Sequence, residues 1–346
     1  MKTLLFKKLT FSVLLLFCMN GIQAQDINFS QFYDLPILRN PALAGIFTGD
    51  IRVTSAYRNQ WQSVTVPYRT MALGIEYKRS VFSNGDFITI GAQLTNDVAG
   101  DSRFSRIQAL PVINYHKSLS AEKSTYLSAG FMAGPVMQSF DPTKLRFDDQ
   151  YVGTEYNASN PTRQTFNNSR LNYFDPAVGL CFSTETENGG NFYVSAGLFH
   201  FTKQRVSFLQ KNDFRMLPKY VINAGYTYMM DEINRMVLYA DFFQQGGAAQ
   251  AQGGAMVMHD LQEREDGEKM SISGGLFYRL NDAVIPVVKL NYYNMSVGVT
   301  YDVNVSKLVP ASQYRGGFEM TLSYKGLTRS AHDDPAYDQI RCPKFF

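Results

Sequence analysis

The chain has 346 residues, of which 45% are apolar and 14% aromatic, and its formal net charge is +3 at neutral pH. So small a net charge excludes the strongly basic surface that is typical of nucleic-acid binding. Three cysteines in a chain of this length exclude a fold that depends on disulfides, whereas 26 Phe and 21 Tyr favour strands and membrane interfaces.

Residues 1–24 have the features of a signal peptide. Lysines near the start precede an apolar run over 9–19, which is too short to cross a bilayer as a helix. We expect export by the Sec route and cleavage near Ala24. The bulky Phe17 before Cys18 disfavours lipidation at that cysteine.

Residues 25–49 are predicted to form a pre-barrel segment on the periplasmic side of the membrane. Pro36, Pro41 and Gly45 favour turns over a long helix. The stretch 40–45 is consistent either with a tight turn that enters the next element or with direct contact to a partner protein.

From residue 50 to residue 325, apolar residues alternate with small or polar ones. The apolar positions 71, 73, 75 and 77, for example, interleave with Ala, Gly, Glu and Lys. Side chains of a strand point to opposite faces with period two, so each segment is a strand with one apolar and one polar face. About fourteen strands are predicted, at 50–60, 68–79, 86–96, 103–117, 124–138, 172–185, 191–201, 216–229, 234–243, 247–259, 270–280, 284–290, 293–302 and 315–325.

The lengths and connections of these strands favour a barrel. Most strands have ~10 residues or slightly more, which suits a tilted strand that crosses a membrane. If the first strand runs outward, the long connections 139–171, 202–215 and 303–314 are extracellular, and turns such as Asn188-Gly189 are periplasmic. A soluble β-sandwich also alternates, but an exported chain with membrane-length strands predicts an all-β, transmembrane, antiparallel outer-membrane β-barrel over 50–325.

The alternation also assigns the two faces of the strands. Asn223, Ser271 and Ser273 are predicted to face the barrel interior, whereas Tyr220 and Ile222 are predicted to face the membrane. Aromatic residues at strand ends are typical of the girdles that barrels place at the membrane interfaces.

Residues 326–346 stop alternating and are predicted to form a periplasmic carboxy-terminal tail. This tail is either a frayed extension of the last strand or a peptide that contacts a partner. Cys342 lies in the tail and Cys181 in a strand, and the sequence leaves open whether the two pair.

The sequence contains no catalytic or metal-binding motif of a known type. Its four histidines lack metal-type spacing, and Ser195 and His200 are predicted to lie on opposite faces of one strand, which disfavours a nucleophile–base pair. The acidic pair Asp97 and Asp101 and the pair Asp148-Asp149 are more typical of solvated turns than of calcium sites. We therefore expect no enzymatic activity, no metal and no cofactor.

Short motifs at both ends of the mature chain point to a family. They are 29–33 (FSQFY), 40–45 (NPALAG), 57–61 (YRNQW), 301–308 (YDVNVSKL), 316–319 (GGFE) and 342–345 (CPKF). In this order, over residues 29–345, they resemble the PorP/SprF family of the type IX secretion system.

The resemblance implies an integral outer-membrane barrel that supports protein secretion or gliding motility. It implies a role in the secretion and surface attachment of cargo proteins that carry a carboxy-terminal sorting domain. The implied partners are outer-membrane lipid, this cargo, and periplasmic secretion or motor subunits, and the implied role is not enzymatic. The motif residues that are candidates for partner contact are Gln31, Asn40, Pro41, Ala42, Gly45, Arg58, Trp61, Gly316, Gly317, Cys342 and Pro343.

Two alternatives stay open at this point. Trp61 is equally consistent with a membrane-interface belt and with a partner contact. A fourteen-strand barrel can also enclose a lumen, so an outer-membrane diffusion channel or a channel for hydrophobic ligands is the alternative function. An outer-membrane hydrolase is disfavoured, because the catalytic motifs are absent from the sequence.

Overall fold

The computed structural model describes residues 26–326, apart from 64, 82–84, 121–123, 154, 165, 167, 209–213, 264–268 and 308. The expected signal peptide, its cleavage site near Ala24, and the tail with Cys342 and Pro343 lie outside the described residues. Among the helices of the described part, none has the length and apolar character to cross a membrane.

Fourteen long strands form one closed antiparallel barrel, which confirms the predicted fold class. Each strand pairs with its neighbour in the barrel, and the last strand pairs with the first, from Ile51 opposite Gly326 to Gln60 opposite Gly317. The barrel strands are β1 (Ile51–Gln60), β2 (Tyr68–Ser80), β3 (Phe87–Ala99), β4 (Phe104–Ser120), β5 (Thr125–Ser139), β8 (Arg170–Glu185), β9 (Asn191–Phe199), β10 (Lys219–Met229), β11 (Asn234–Gln245), β12 (Ala248–Glu263), β13 (Lys269–Arg279), β14 (Ala283–Tyr292), β15 (Met295–Asn304) and β16 (Arg315–Gly326).

The strands β6 (Tyr151–Val152) and β7 (Glu155–Tyr156) pair only with each other, in the connection between β5 and β8. This connection also contains two short 3-10 helices, Pro142–Lys144 and Asp148–Gln150, and a single helical turn, Val309–Ser312, precedes β16. None of these elements belongs to the barrel wall.

The two faces of the wall have opposite chemistry. On β10, Tyr220 and Ile222 point outward and are 58% and 53% exposed, whereas the next residue, Asn223, points inward and is buried. Ser271 and Ser273 of β13 are likewise buried inside. Large apolar side chains are exposed around the whole outer wall, as expected for strands that face lipid, and a closed barrel leaves no unpaired strand edge within it.

The two ends of the barrel differ in the length of their connections. One end carries the connections 140–169, 200–218 and 305–314, and we call it the long-loop end. The opposite, short-turn end carries brief connections such as 186–190 and 293–294. Outer-membrane barrels have short periplasmic turns and longer extracellular loops, so we expect the long-loop end to face the outside.

Aromatic side chains join the two longest connections at the long-loop end. The ring of Phe140 lies 5.2 Å from that of Phe166 and 5.0 Å from that of Phe208, as measured between centroids. Phe208 also contacts Phe104 at the start of β4, at 6.3 Å. Edge-on aromatic pairs of this kind stabilise the two connections against each other.

The segment before β1 lies inside the barrel, and we call residues 26–50 the plug. Its backbone makes three short turns, Phe32–Asp34, Pro36–Arg39 and Pro41–Leu43. Nearly all residues from Phe29 to Phe47 are buried. The sequence predicts a segment on the periplasmic side here. The structure instead places residues 26–50 in the lumen, because the inward-facing polar side chains of the wall provide partners for the charges and backbone of the plug.

We predict that a charge on the outer wall destabilises the protein according to its depth. Val288 and Tyr292 lie on the same face of β14 and are 58% and 56% exposed, but Val288 is mid-strand and Tyr292 is the last residue. Val288→Lys should lower the free energy of unfolding in phospholipid vesicles by about 2–4 kcal/mol, and Tyr292→Lys by at most about 1 kcal/mol. Equal effects of the two substitutions in urea titrations would contradict a membrane-spanning β14.

Candidate functional site

The plug runs through the lumen from one end of the barrel to the other. At the short-turn end, the amide of Asp50 donates a hydrogen bond of 2.9 Å to the carbonyl oxygen of Gly326. At the long-loop end, the carboxylate of Asp26 contacts Arg106, near the start of β4, and Lys219, the first residue of β10. The plug–wall contact between these ends is the candidate functional site.

Glu319 of β16 binds the backbone of the plug directly. Its two carboxylate oxygens accept hydrogen bonds from consecutive amides, of Ser30 at 2.8 Å and of Gln31 at 2.6 Å. The side chain of Gln31 donates to the carbonyl oxygen of Gly298, and its own oxygen accepts a bond from Thr321. All of these groups are buried, so each pairing prevents an unsatisfied polar group inside the barrel.

Arg58 of β1 and Asp302 of β15 extend the same contact. The Arg58 guanidinium lies 2.9 Å from the Asp302 carboxylate and 3.7 Å from that of Glu319, and it also donates to the carbonyl oxygen of Asn28. Asp302 further accepts a hydrogen bond from the Ser30 hydroxyl and pairs with Arg279 at 3.0 Å. Two carboxylates and two guanidiniums therefore surround the Ser30 turn and balance each other's charge.

Aromatic rings provide the apolar part of the contact. The ring of Tyr33 stacks on those of Tyr239 and Phe277, at centroid distances of 5.2 and 5.1 Å. Phe32 packs edge-on against Phe277 at 5.7 Å. These residues are buried in one cluster with Leu43 of the plug, so the plug contributes to a core inside the barrel.

Arg39 forms the central ion pair between plug and wall. Its guanidinium binds the Asp241 carboxylate of β11 through two hydrogen bonds, of which the Nε–Oδ2 bond measures 2.8 Å. It also donates to the Tyr193 hydroxyl at 2.9 Å, and its carbon lies 4.9 Å from the centre of the Phe32 ring. Such a bidentate pair fixes both distance and orientation.

The stretch 40–45 forms a tight turn pressed against the wall. The side chain of Asn40 accepts a hydrogen bond from the amide of Ala42, and Asn114 of β4 donates to the carbonyl oxygens of Ala42 and Ala44, at 2.8 Å each. A Cβ at Gly179 of β8 would lie only 1.8 Å from the Asn40 side-chain oxygen. The wall therefore needs a glycine where the turn approaches it.

Gly45 ends this turn and requires glycine for two reasons. Its φ of +88° lies in the left-handed region, and an added Cβ would lie 1.9 Å from the Thr89 hydroxyl oxygen. Its amide donates to the Glu76 carboxylate at 2.7 Å, and Glu76 in turn pairs with Arg52.

Two cationic side chains and one histidine surround Asp26 at the long-loop end. Its carboxylate lies 2.5 Å from Arg106, 3.1 Å from Lys219 and 3.5 Å from His200. Although burial acts to raise it, the charges of Lys219 and Arg106 hold the pKa of Asp26 well below its usual value. Asp26 therefore stays ionised and paired at neutral and mildly acidic pH.

The prediction that Ser195 and His200 lie on opposite faces of one strand is wrong. Strand β9 ends at Phe199, and His200 has a φ of +55°, so its side chain turns into the barrel and is buried like that of Ser195. The two have different partners: His200 binds Asp175 at 2.8 Å, and Ser195 donates to Asn223 at 3.1 Å.

The plug and the inward-facing side chains fill the lumen over the described residues. Every barrel strand contributes buried inward-facing residues, whereas an open pore would leave them in contact with water. Two cavities that border the plug, one next to Leu38 and Phe243 and one next to His200, measure about 30 and 20 Å³. Each has room for one or two water molecules.

The acidic side chains of two loops considered for calcium have hydrogen-bond partners in the described part of the chain. No group of three or more His, Cys, Asp or Glu side chains there is arranged to hold a metal ion. Asp97 accepts a hydrogen bond from Thr70, and Asp149 accepts one from the amide of Arg163. Cys181 is buried and has no disulfide partner among the described residues, whereas Cys342, the other cysteine considered for a pair, lies outside them.

Residues 22–324 match the family of the type IX secretion system membrane protein PorP/SprF. The chain belongs to this family. No curated protein matches the chain. The match covers the plug and almost the entire barrel, so the PorP/SprF assignment applies to the candidate site as well as to the wall.

A comparison with solved structures also finds barrels that are similar to this chain. The toluene transporter TbuX of Ralstonia pickettii is 10% identical, with a TM-score of 0.46 over 84% of this chain and 92% of that one. The monoaromatic hydrocarbon channel CymD is 9% identical, with a TM-score of 0.43 over 88% and 94%. BamA of Haemophilus ducreyi, without POTRA domains 1–3, is 8% identical, with a TM-score of 0.40 over 80% and 70%.

The PorP/SprF motifs, which are distant in sequence, meet at the plug. Gln31, Asn40, Pro41, Ala42 and Gly45 are buried plug residues, and Arg58 binds the plug from β1. In this conformation they contact the wall of their own barrel. Of the remaining candidates, Cys342 and Pro343 lie outside the described residues.

Trp61, Gly316 and Gly317 lie together at the long-loop end. Half-buried Trp61 follows β1, and its amide donates to the carbonyl oxygen of Gly316 at 3.1 Å. A Cβ at Gly316 would lie 2.5 Å from the carbonyl oxygen of Asp302, next to the register shift between β15 and β16. Gly316 thus permits the local geometry from which Asp302 reaches Ser30.

Several residues that form the site are not among the candidates predicted from the sequence. Each of them is a charged side chain on the inward face of a strand or within the plug. Such a charge requires a partner if the lumen excludes water, and this is the sequence feature that could have identified them. These residues are Asp26, Asp34, Arg39, Glu76, Asp241, Lys289, Asp302 and Glu319.

We predict that Arg39 and Asp241 are strongly coupled in stability. Arg39→Leu leaves a buried carboxylate without its cation and should lower the free energy of unfolding by about 3–5 kcal/mol. The double variant Arg39→Leu/Asp241→Leu should regain much of that loss, because no unpaired charge remains. Urea titrations of reconstituted protein measure both, and additive effects of the two single variants would contradict the ion pair.

Proposed function

We propose that the protein is a non-enzymatic outer-membrane component of the type IX secretion machinery that supports secretion and surface attachment of cargo proteins bearing a carboxy-terminal sorting domain. Membership in the PorP/SprF family gives the secretion system. The observation that supports the proposal is the filled lumen. Because the plug closes the barrel, partner proteins can bind to its surfaces but cannot pass through it.

The long-loop end is the surface that we assign to cargo. The connections between β5 and β8 and between β9 and β10 pack on each other through Phe140, Phe166 and Phe208, which gives this end a defined shape. Exposed apolar side chains stand on it, among them Tyr151 at 43% and Val152 at 68% exposure. Exposed apolar and aromatic residues on an ordered surface are typical of interaction sites.

The filled lumen also bears on the alternative, an outer-membrane channel for diffusion or hydrophobic ligands. Such a channel needs a continuous path, whereas the inward-facing side chains are buried against the plug. We also propose that periplasmic secretion or motor subunits bind the protein at the short-turn end and the 326–346 tail, and that the protein supports gliding motility through these contacts.

The test is a pull-down from isolated outer membranes with an affinity tag on the protein, followed by mass spectrometry. We expect a sorting-domain cargo or periplasmic secretion subunits to be recovered. Tyr151→Ser/Val152→Ser should reduce the recovered cargo roughly ten-fold or more, since loss of two central interface side chains costs on the order of 2 kcal/mol.

The matched control is Met230→Ser/Ile233→Ser, which removes apolar residues of similar exposure at the short-turn end. It should leave the amount of cargo unchanged. Recovery of the barrel alone after cross-linking, together with ion conductance of the complete protein in planar bilayers, would overturn the proposal in favour of a channel.

A further inference from the structure

We infer that residues 26–28, which we call the tip of the plug, lie at the extracellular face of the barrel and form part of the surface that extracellular partners meet. This direction of the plug is independent of which cargo the protein serves.

The direction follows from the partners of the tip. Arg106 is the third residue of β4 and Lys219 the first of β10, and His200 directly follows β9. All three stand where a strand meets a connection of the long-loop end. Their common contact is Asp26.

Asn28 gives a second, independent set of contacts at the same end. Its side-chain nitrogen lies 3.3 Å from the side-chain oxygens of both Gln250 and Gln252, near the start of β12. The start of β12 follows the short 246–247 connection, which belongs to the long-loop end. The tip is thus fixed to opposite parts of the wall at one height in the barrel.

Both ends of the plug are less buried than its middle. Residues 26–28 are half-buried and Thr48 is exposed, whereas nearly all residues from Phe29 to Phe47 are buried. The other terminus of the plug, at Asp50, binds Gly326 at the short-turn end. The chain therefore descends from the long-loop end to the start of β1, and its amino terminus is separated from the periplasm by the rest of the plug.

This arrangement gives the extracellular face a contact that the loops alone do not provide. A partner that binds the long-loop end can also touch the segment that closes the lumen. Asp26 pairs with both Arg106 and Lys219, and Asp175 provides the second carboxylate of the cluster, so the tip stays in place as long as this cluster is intact.

The first test places a short linear epitope between residues 25 and 26 and probes it with antibody on intact and on permeabilised cells. The same epitope after Asn160 in the long-loop connection, and after Glu232 in a short turn, provides the two controls. We expect the amino-terminal and Asn160 epitopes to be detected on intact cells and the Glu232 epitope only after permeabilisation. Detection of the amino-terminal epitope only after permeabilisation would overturn the inference.

A second test avoids the insertion, in case it prevents barrel assembly. Ile27→Cys in a Cys181→Ala/Cys342→Ser background is exposed to a bulky, membrane-impermeant maleimide. Labelling on intact cells is expected, and labelling that requires disruption of the outer membrane would contradict the extracellular tip.

The same cysteine tests the cluster that holds the tip. Asp26→Asn should raise the labelling rate of Ile27→Cys several-fold, because it removes the carboxylate charge that pairs the tip with Arg106 and Lys219. The matched control, Asp101→Asn, changes an exposed carboxylate at the same end and should leave the rate unchanged. Equal rates in the two variants would refute the role of Asp26. Neither result depends on cargo, so failure here and failure of the secretion proposal are distinguishable.

Discussion

The buried charges and backbone amides of the plug pair with the inward face of the barrel wall. Glu319 accepts hydrogen bonds from two successive plug amides, and Arg39 forms a two-bond ion pair with Asp241. Each charge on either side would be costly in a dry lumen without its partner. The plug and the barrel therefore stabilise one another, and neither has a satisfied interior alone.

The wall could be predicted from the sequence because its signal is local. Along each strand, side chains that face lipid alternate with side chains that face the polar interior of the barrel. A strand such as β10 shows this alternation within a few residues. All fourteen predicted strands correspond to barrel strands, with ends that differ by a few residues. Turn residues such as Gly189, with a φ of +72°, account for the accurate positions of the short connections.

The location of the plug could not be predicted in this way. Pro36, Pro41 and Gly45 predict turns, and the structure contains these turns. The turn residues alone do not indicate which surface of the protein the turns pack against. The missing information lay in pairs that are far apart in sequence, such as Ser30 with Glu319 or Arg39 with Asp241. Charged residues on the inward strand face were the available signal, because a buried charge requires a partner.

The protein combines a PorP/SprF barrel, a lumen closed by its own amino-terminal segment, and an ordered long-loop surface on one end. Hydrogen–deuterium exchange in lipid nanodiscs tests the position of the plug. We expect amides of residues 30–47 to exchange as slowly as those of the barrel strands, because they are buried and several are bonded to wall side chains. Exchange of this segment as fast as that of the exposed connection 157–163 would contradict this position of the plug.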